Sequence, residues 1–515
     1  MRMLLLGSDN FAPALRRLGC QVVTAGPGDG ADLRLDQGDP DWRDLRRVVG
    51  EDFDAILVTD HIGRRTLPTG LWSAKAVTVF YGVDAPLNEF WQCKYARLFD
   101  LALFDQPQQV QALAAVHPAA HWLPLAVEPE LYHSQAQAQV APGASFVGVV
   151  DETVRPKRAA VLDRVRRRVA LEVRGGRGQG WFATADAARL YRQSQLVVNE
   201  NLFPGMTTRP LEVMAAGGCL FSEAAPGVMD RHFRDFEHLL YFTPENFDQR
   251  LELLLRDDAL RLRLAEAGRA EVLSRHSFLV RAGQLLDLVA PLGGLTPEER
   301  GRARGGEALR LEGESLFLAG LRWPREEGNL RLGRGLGRLS AAAHDGAERL
   351  PASRALGRAA LMGSQVETGL DHLARAAELG GGSDGLVWAL AAWLAGRKDQ
   401  ARATLRTLLG GDHQPGQPDF HLAAGRLLAT EGEDLWPGFN RQALPMIFWG
   451  AFEHWLEATR RRPDDGQAWE SLGDLLMERG AANPAHACYQ RALAGDHSAV
   501  IADKVRKAAQ LGYLE

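Results

Sequence analysis

Apolar positions in the first 133 residues fall in short runs, MLLLG, CQVVTAG, FDAILVTD, AVTVFYGVD, LALFDQ and HWLPLAV, separated by segments with helical spacing. Short apolar strands alternating with helices predict a parallel, doubly wound sheet, because a strand covered on both faces needs no polar side. Residues 134–144, SQAQAQVAPGA, are small, polar and unpatterned, and read as a linker. A second alternating series follows: FVGVVD, an arginine-rich helix near 156–168, RVALEVRGG, a helix at 184–193, SQLVVNEN, GCLFSE and HLLYF. Helical spacing alone continues to about residue 290. The pattern therefore predicts a Rossmann-like domain over 1–133, a second over 145–290, and an all-α domain over 300–515.

The third region has no strand pattern and many Ala, Leu and Arg residues at helical spacing. Its clearest stretch, DDGQAWESLGDLLMERGAANPAHACYQRALAGD, places Trp469, Leu472, Gly473, Ala485, Tyr489 and Ala492 at tetratricopeptide-repeat offsets. In such a repeat small residues let two helices approach and an aromatic ring fills the gap. Ala451, Trp455, Ala458 and Pro463 match the second helix of a preceding copy, and weaker copies occur around 353–378 and 385–409. The segment ATEGEDLWPGFNRQALPM interrupts the period.

Composition narrows the function classes. With 46% hydrophobic and 24% charged residues and a formal net charge of −5, the chain has ordinary globular usage and no field for gripping nucleic acid. Cys20, Cys93, Cys219 and Cys488 are far apart and form no C-x-x-C pair, which argues against a disulfide framework or a zinc site. The opening MRMLLLGSDN meets Gly-Ser-Asp too soon for a signal peptide, and no window approaches ~18 unbroken apolar residues. The expected location is the cytoplasm.

One passage concentrates the candidate chemistry: MTTRPLEVMAAGGCLFSE, residues 206–223. Pro210 suits the first turn of a helix, and Gly217 and Gly218 end it, one of them left-handed. The helix follows the VVN strand, and its free N–H groups attract phosphate. Arg209 adds a charge-assisted donor. Glu212, expected in the same first turn, can accept two ribose hydroxyls, although an acid there is also favoured by the helix dipole alone. In FVGVVDETVRPKRAAVL, Arg155 and Lys157 occupy a strand-to-helix loop where two cations can neutralise a diphosphate leaving group; the alternative is a solvated helix start. Arg164, Arg166, Arg167 and Arg168 read as an exposed face.

From FVGVVDETVRPKR through LYRQSQLVVNENLFPGMTTRPLEVMAAGGCLFSEAAPGVMDRHFRDFEHLLYF to LAEAGRAEVLSRHSFLVRA, the chain resembles the C-terminal half of CgeB-like, spore-maturation-type glycosyltransferases of the GT-B group. YGVDAP, FDLALFDQPQQVQAL and WLPLAVEPELY resemble that family's N-terminal half. The resemblance implies two facing Rossmann-like domains, a nucleotide-diphosphate sugar such as a UDP-sugar as co-substrate, and no obligatory metal or cofactor. It further implies that Glu212 binds the donor ribose and that Arg155, Lys157 and Arg209 face the phosphates. The backbone at Thr207, Thr208 and Gly218 would approach the nucleotide, with Asn201 nearby. Many GT-B enzymes carry a glutamate eight positions before the ribose-binding one; here that position is Pro204, and Glu200 and Asn201 are out of register with it.

On the acceptor side, strand ends should present a general base: Asp84 in VFYGVDAP, and Asp60 or His61 in LVTDHIG. Ser8 and Asn10 follow the first strand and could touch the acceptor. RGGRGQG lacks the Gly-Lys-Ser/Thr ending of a phosphate loop, and Asp257–Asp258 sits in a helical context rather than at a metal site. Two readings follow: a transferase acting on a protein, flagellin or another surface protein included, held by the repeat domain, or a GT-B scaffold with a decayed pocket whose repeats recruit partners.

Overall fold

The apolar runs of the first 133 residues become seven parallel strands: β1 Arg2–Gly7, β2 Gln21–Gly26, β3 Leu33–Arg34, β4 Ala55–Thr59, β5 Val77–Gly82, β6 Leu101–Phe104 and β7 Ala120–Trp122. The computed structural model describes the chain except residues 29, 36–38, 61–65, 115, 133–140, 151–154, 176–181, 202–204, 322–324, 432–444, 479–481, 496–497 and 513–515. Strand order is β3-β2-β1-β4-β5-β6-β7. β4, β5 and β6 are buried along their whole length, which is why they read as unbroken apolar runs.

The second series forms a five-stranded parallel sheet from β8 Ala141–Val147, β9 Leu171–Arg174, β10 Ser194–Asn199, β11 Leu220–Glu223 and β12 Leu240–Phe242, in the order β12-β11-β10-β8-β9. Separate apolar cores cover its two faces, one around Leu211, Val213 and Tyr191, the other around Phe146, Phe221 and Leu251. Both sheets belong to one compact unit, Met1–Pro86 with Phe99–Gly301. The expected α/β class with two Rossmann-like sheets is met.

Backbone pairing and a returning helix help join the halves of this unit. The Val127 N–H donates to the His276 carbonyl at 3.0 Å, and the Phe278 N–H to the Val127 carbonyl at 3.1 Å. Helix Phe278–Val289 then returns to the first sheet, burying Ala282, Leu285 and Val289 against Met3, Val79 and Leu103. The linker assignment needs one correction: residues 141–144 lie in β8. The Gly143 N–H donates to Gln195 Oε1 at 3.0 Å and the Ala144 N–H to the Ala170 carbonyl at 2.7 Å. Such backbone pairing requires no apolar alternation, so the pattern could not mark it. Residues 134–140 lie outside the described residues.

The other unit comprises Leu87–Leu98 and Arg302–Glu515. Leu87–Leu98 falls within the first domain by its sequence pattern, yet it packs with the helices. The Ala303 N–H donates to the Arg97 carbonyl at 2.9 Å, and Lys94 pairs with Glu314. Trp91 and Tyr95 of the same stretch are fully buried. After it the unit is helical throughout the described residues, from Gly305–Gly320 to Ala499–Gly512. A glycine against a large side chain recurs along it. A Cβ on Gly473 would stand 2.6 Å from the Tyr489 ring, one on Gly357 2.5 Å from Leu373, one on Gly313 2.6 Å from Leu339, and one on Gly425 would overlap Trp455. Small residues thus permit the close approach of paired helices. Among the described residues, no helix is long and apolar enough to cross a membrane.

Candidate functional site

In the second sheet the strand order reverses between β8 and β10, and ligands of open α/β sheets sit at such switch points, beyond the carboxyl ends of the strands. Arg209 occupies this place. Its Nε donates to the Val147 carbonyl at the end of β8, and its Nη1 to Asn199 Oδ1 at the end of β10, each at 3.0 Å. The guanidinium lies over the Phe146 ring, 4.4 Å from its centroid. Gly148, at φ +149°, follows β8 because a Cβ there would stand 2.8 Å from Arg209 Nη2.

The helix carrying Arg209 spans Thr208–Ala215, with Thr207 extended before it. Pro210 stands in the first turn, as expected, and Gly217, at φ +79°, ends the helix in the left-handed region. Glu212 is corrected to the second turn: the helix begins only at Thr208, so its carboxylate gains little from the helix dipole. Gly218 follows directly. A Cβ on it would stand 2.8 Å from the Tyr191 carbonyl, so its smallness lets the helix end pack on helix Thr184–Gln193.

Arg155 precedes helix Pro156–Arg166. Its Nη1 and the Thr207 Oγ1 are buried polar atoms without a hydrogen-bond partner among the described residues. Burial, then the neighbouring Arg158 guanidinium, pulls Arg155 below the usual arginine range, and burial does the same to Arg209. Unpaired donors beside crowded cations are relieved by an anion.

Lys157 and Asn201 come together here, but with each other's surroundings. Lys157 Nζ donates to the Asn201 carbonyl at 2.6 Å and to Glu223 at 2.9 and 3.1 Å, and lies 3.4 Å from Glu200. Asn201 Nδ2 donates to the Glu223 carbonyl and its Oδ1 accepts from Asn199 Nδ2, both at 2.9 Å. Their polar groups tie the end of β10 to the end of β11.

Sequence reasoning missed several participants. Arg158, one position after Lys157 in RPKR, donates from Nε to Glu200 Oε2 and from Nη1 to the Val149 carbonyl, both at 2.9 Å, and also faces the Phe146 ring. Tyr132 and Tyr191 flank Glu212. Burial, then the Glu212 carboxylate, raises both phenols.

In the first sheet the order reverses between β1 and β4, and Ser8 and Asp60 follow these strands. Gly7, at φ +98°, permits the contact, since a Cβ would stand 2.7 Å from the Thr59 carbonyl. Ser8 Oγ accepts the Asn10 N–H at 3.3 Å; Asn10 is exposed and Asp60 is buried. His61 lies outside the described residues, as do Pro204 and most of RGGRGQG. Asp84 has a left-handed backbone, φ +51°. Its N–H and that of Ala85 donate to the Asp105 carboxylate at 2.9 and 3.2 Å. Burial, then the Asp84 charge, pushes Asp105 up to about 7. Asp84 also acts electrostatically on Arg155, which brings acceptor-side and donor-side candidates into one field. Asp257 is a helix cap, its Oδ1 accepting the Leu260 N–H at 2.8 Å.

Residues 155–287 match the family model described as glycosyl transferase-like. No curated protein sequence matches the chain. Sucrose-phosphate synthase from Thermosynechococcus elongatus is similar in structure, with 11% identity over 57% of this chain and 99% of that one and a TM-score of 0.41. Anabaena HepE in complex with UDP-glucose gives 14% identity, 57% and 100% coverage and a TM-score of 0.40. A glycosyltransferase from Rickettsia africae gives 8% identity, 57% and 99% coverage and a TM-score of 0.38. The chain carries a glycosyl transferase-like domain over residues 155–287.

Proposed function

We propose that the protein transfers a sugar from a nucleoside-diphosphate donor to an acceptor hydroxyl. The observation that carries this reading is Arg155 and Arg209 at the helices that follow β8 and β10, with buried polar atoms on Arg155 and Thr207 that lack partners among the described residues. In the transfer, the bond between the anomeric carbon and the donor phosphate oxygen breaks, and a bond to the acceptor oxygen forms. Negative charge grows on the leaving diphosphate, where Arg155, Arg209 and the start of helix Thr208–Ala215 stabilise it. Glu212 accepts the ribose hydroxyls. The acceptor proton passes to Asp84, or to the leaving phosphate in a retaining transfer. This scheme needs no metal, and the proposed enzyme is a cytoplasmic one.

The acceptor we propose is a protein held by the helical unit, whose repeats are tetratricopeptide-like. A cavity of ≈ 490 Å³ there is lined by Phe317, Phe448, Trp449 and Arg358 among others. The second reading, a scaffold with a decayed pocket, is favoured by the commitment of Lys157 and Asn201 to internal bonds.

Calorimetric titration with UDP, GDP, ADP, dTDP and CDP separates the readings. Transfer chemistry requires that at least one binds and that Glu212→Ala abolishes this; binding of none leaves the scaffold. Recruitment is tested by Trp449→Ala, which should weaken glycosylation of the natural protein acceptor without changing donor hydrolysis.

A further inference from the structure

Phe104 ends β6 and two polar residues follow it, Asp105 and Gln106, both fully buried. Neither has the surroundings of a simple core residue. Asp105 accepts the N–H groups of Asp84 and Ala85, and so holds the one left-handed turn that presents Asp84. A non-glycine residue at φ +51° stays there only when its surroundings over-determine it. Gln106 reaches the other half of the unit. Its Nε2 donates to the Met206 carbonyl at 2.8 Å and its Oε1 accepts the Met206 N–H at 3.1 Å, so the side chain pairs with the main chain as a neighbouring strand would. Met206 immediately precedes Thr207 and the helix of Arg209 and Glu212. The two residues are also joined to each other, Gln106 Nε2 lying 3.3 Å from Asp105 Oδ2.

We propose that Asp105 and Gln106 are positioning residues that form a strut across the site, setting the distance between Asp84 and the donor-phosphate helix. The inference rests on the transfer reading given above. The side chains touch neither reacting partner; they act through Asp84 and through the peptide at Met206. Because the pairing uses both atoms of one amide, it specifies orientation as well as distance. Loss of the strut should let the halves settle at a spread of separations, and an error of about 1 Å between reacting groups can cost on the order of 100-fold in rate.

The test compares wild type with Gln106→Leu, which removes both bonds, and Gln106→Glu, which keeps the acceptor and loses the donor. With the sugar nucleotide that binds in the calorimetric panel, kcat for donor hydrolysis should fall roughly 10- to 100-fold in Gln106→Leu and less in Gln106→Glu. Affinity for the nucleoside diphosphate, whose contacts lie in the second half, should stay within about twofold, a split that general destabilisation would not produce. A measurement independent of donor uses nitroxides at Val48→Cys and Leu262→Cys, exposed positions in the two halves, in a Cys93→Ser background. Pulsed dipolar spectroscopy should show a broader distance distribution in Gln106→Leu. Unchanged turnover, or an unchanged distribution, overturns the strut. If wild type binds no nucleotide, the transfer reading falls while the nitroxide distances still decide whether Gln106 sets the separation.

Discussion

Arg209 Nη1 and Asn199 Oδ1 lie 3.0 Å apart, and through this contact one arginine spans the point where the second sheet reverses its strand order. The same guanidinium reaches the Val147 carbonyl from Nε, so it braces the strand ends while keeping its charge at the mouth of the switch point. Lysine cannot reproduce this fork, having a single ammonium in place of fixed planar donors. Arg209→Lys should therefore lower stability by about 1–3 kcal/mol, because buried acceptors lose partners. It should also weaken nucleoside-diphosphate binding more than tenfold, about 1.4 kcal/mol. Chemical denaturation and calorimetry read the two effects separately; unaltered binding would remove Arg209 from the phosphate site.

Asp105 titrates in the reverse sense from an ordinary paired carboxylate. Its folded pKa, about 7, lies above the reference value of 3.8, so its stabilising contribution is complete below that reference and is lost as pH rises through about 7. Asp105→Asn removes the titration. The difference in unfolding free energy, variant minus wild type, should grow in the variant's favour between about pH 5 and pH 8, whatever its absolute value. A difference constant across that range would show that Asp105 keeps no proton in the folded chain.

His276 and His232 titrate the other way. Arg281 can only donate, so His276 Nδ1, 2.8 Å from Arg281 Nη2, must accept and the imidazole is neutral. Burial, then Arg281, lowers His276 to about 3 and His232 to about 4. Stability from these groups is present above about 6.5 and is lost as pH falls towards those values. His276 stands beside the Val127 connection, so acid should loosen the junction of the two halves. His276→Gln should gain on wild type as pH drops from about 7 to about 4.5 in urea titrations. A gain at neutral pH of the same size would count against protonation as the cause.

Gly473 faces Tyr489 with no room for a side chain. Gly473→Val should overpack the helix pair Gly466–Glu478 and Ala482–Gly495 and cost about 1–3 kcal/mol. Calorimetric unfolding should show the helical unit melting earlier while nucleotide affinity is retained. A variant as stable as wild type would mean that the two helices are not closely packed.

Ending the chain after Gly301 removes the helices that Leu87–Leu98 packs with, leaving Trp91 and Tyr95 without their cover. We expect such a truncated chain to bind a hydrophobic dye and to aggregate, although the glycosyl transferase-like residues 155–287 are all retained. A monomeric, dye-negative product would show that this segment is stable without the helical unit.

The sequence by itself determined the α/β class, the order of eleven of the strand runs and the helical end of the chain, because burial on both faces leaves continuous apolar runs and a helix repeats every 3.6 residues. Glycine and proline marked the ends of the helix after β10 for equally local reasons. Periodicity could not show β3, two residues long, nor the start of β8, which pairs along its backbone with β10. The candidate site was legible as residue types in the segments that follow β8 and β10: Arg155 before helix Pro156–Arg166, and Arg209 and Glu212 on helix Thr208–Ala215. Only the tertiary structure decided that Lys157 and Asn201 spend their polar groups internally, that Leu87–Leu98 joins the helical unit, and that Gln106 pairs with Met206 one hundred residues away. Those outcomes depend on which buried donors and acceptors find each other in space, and no local pattern encodes the partner of a group so distant along the chain.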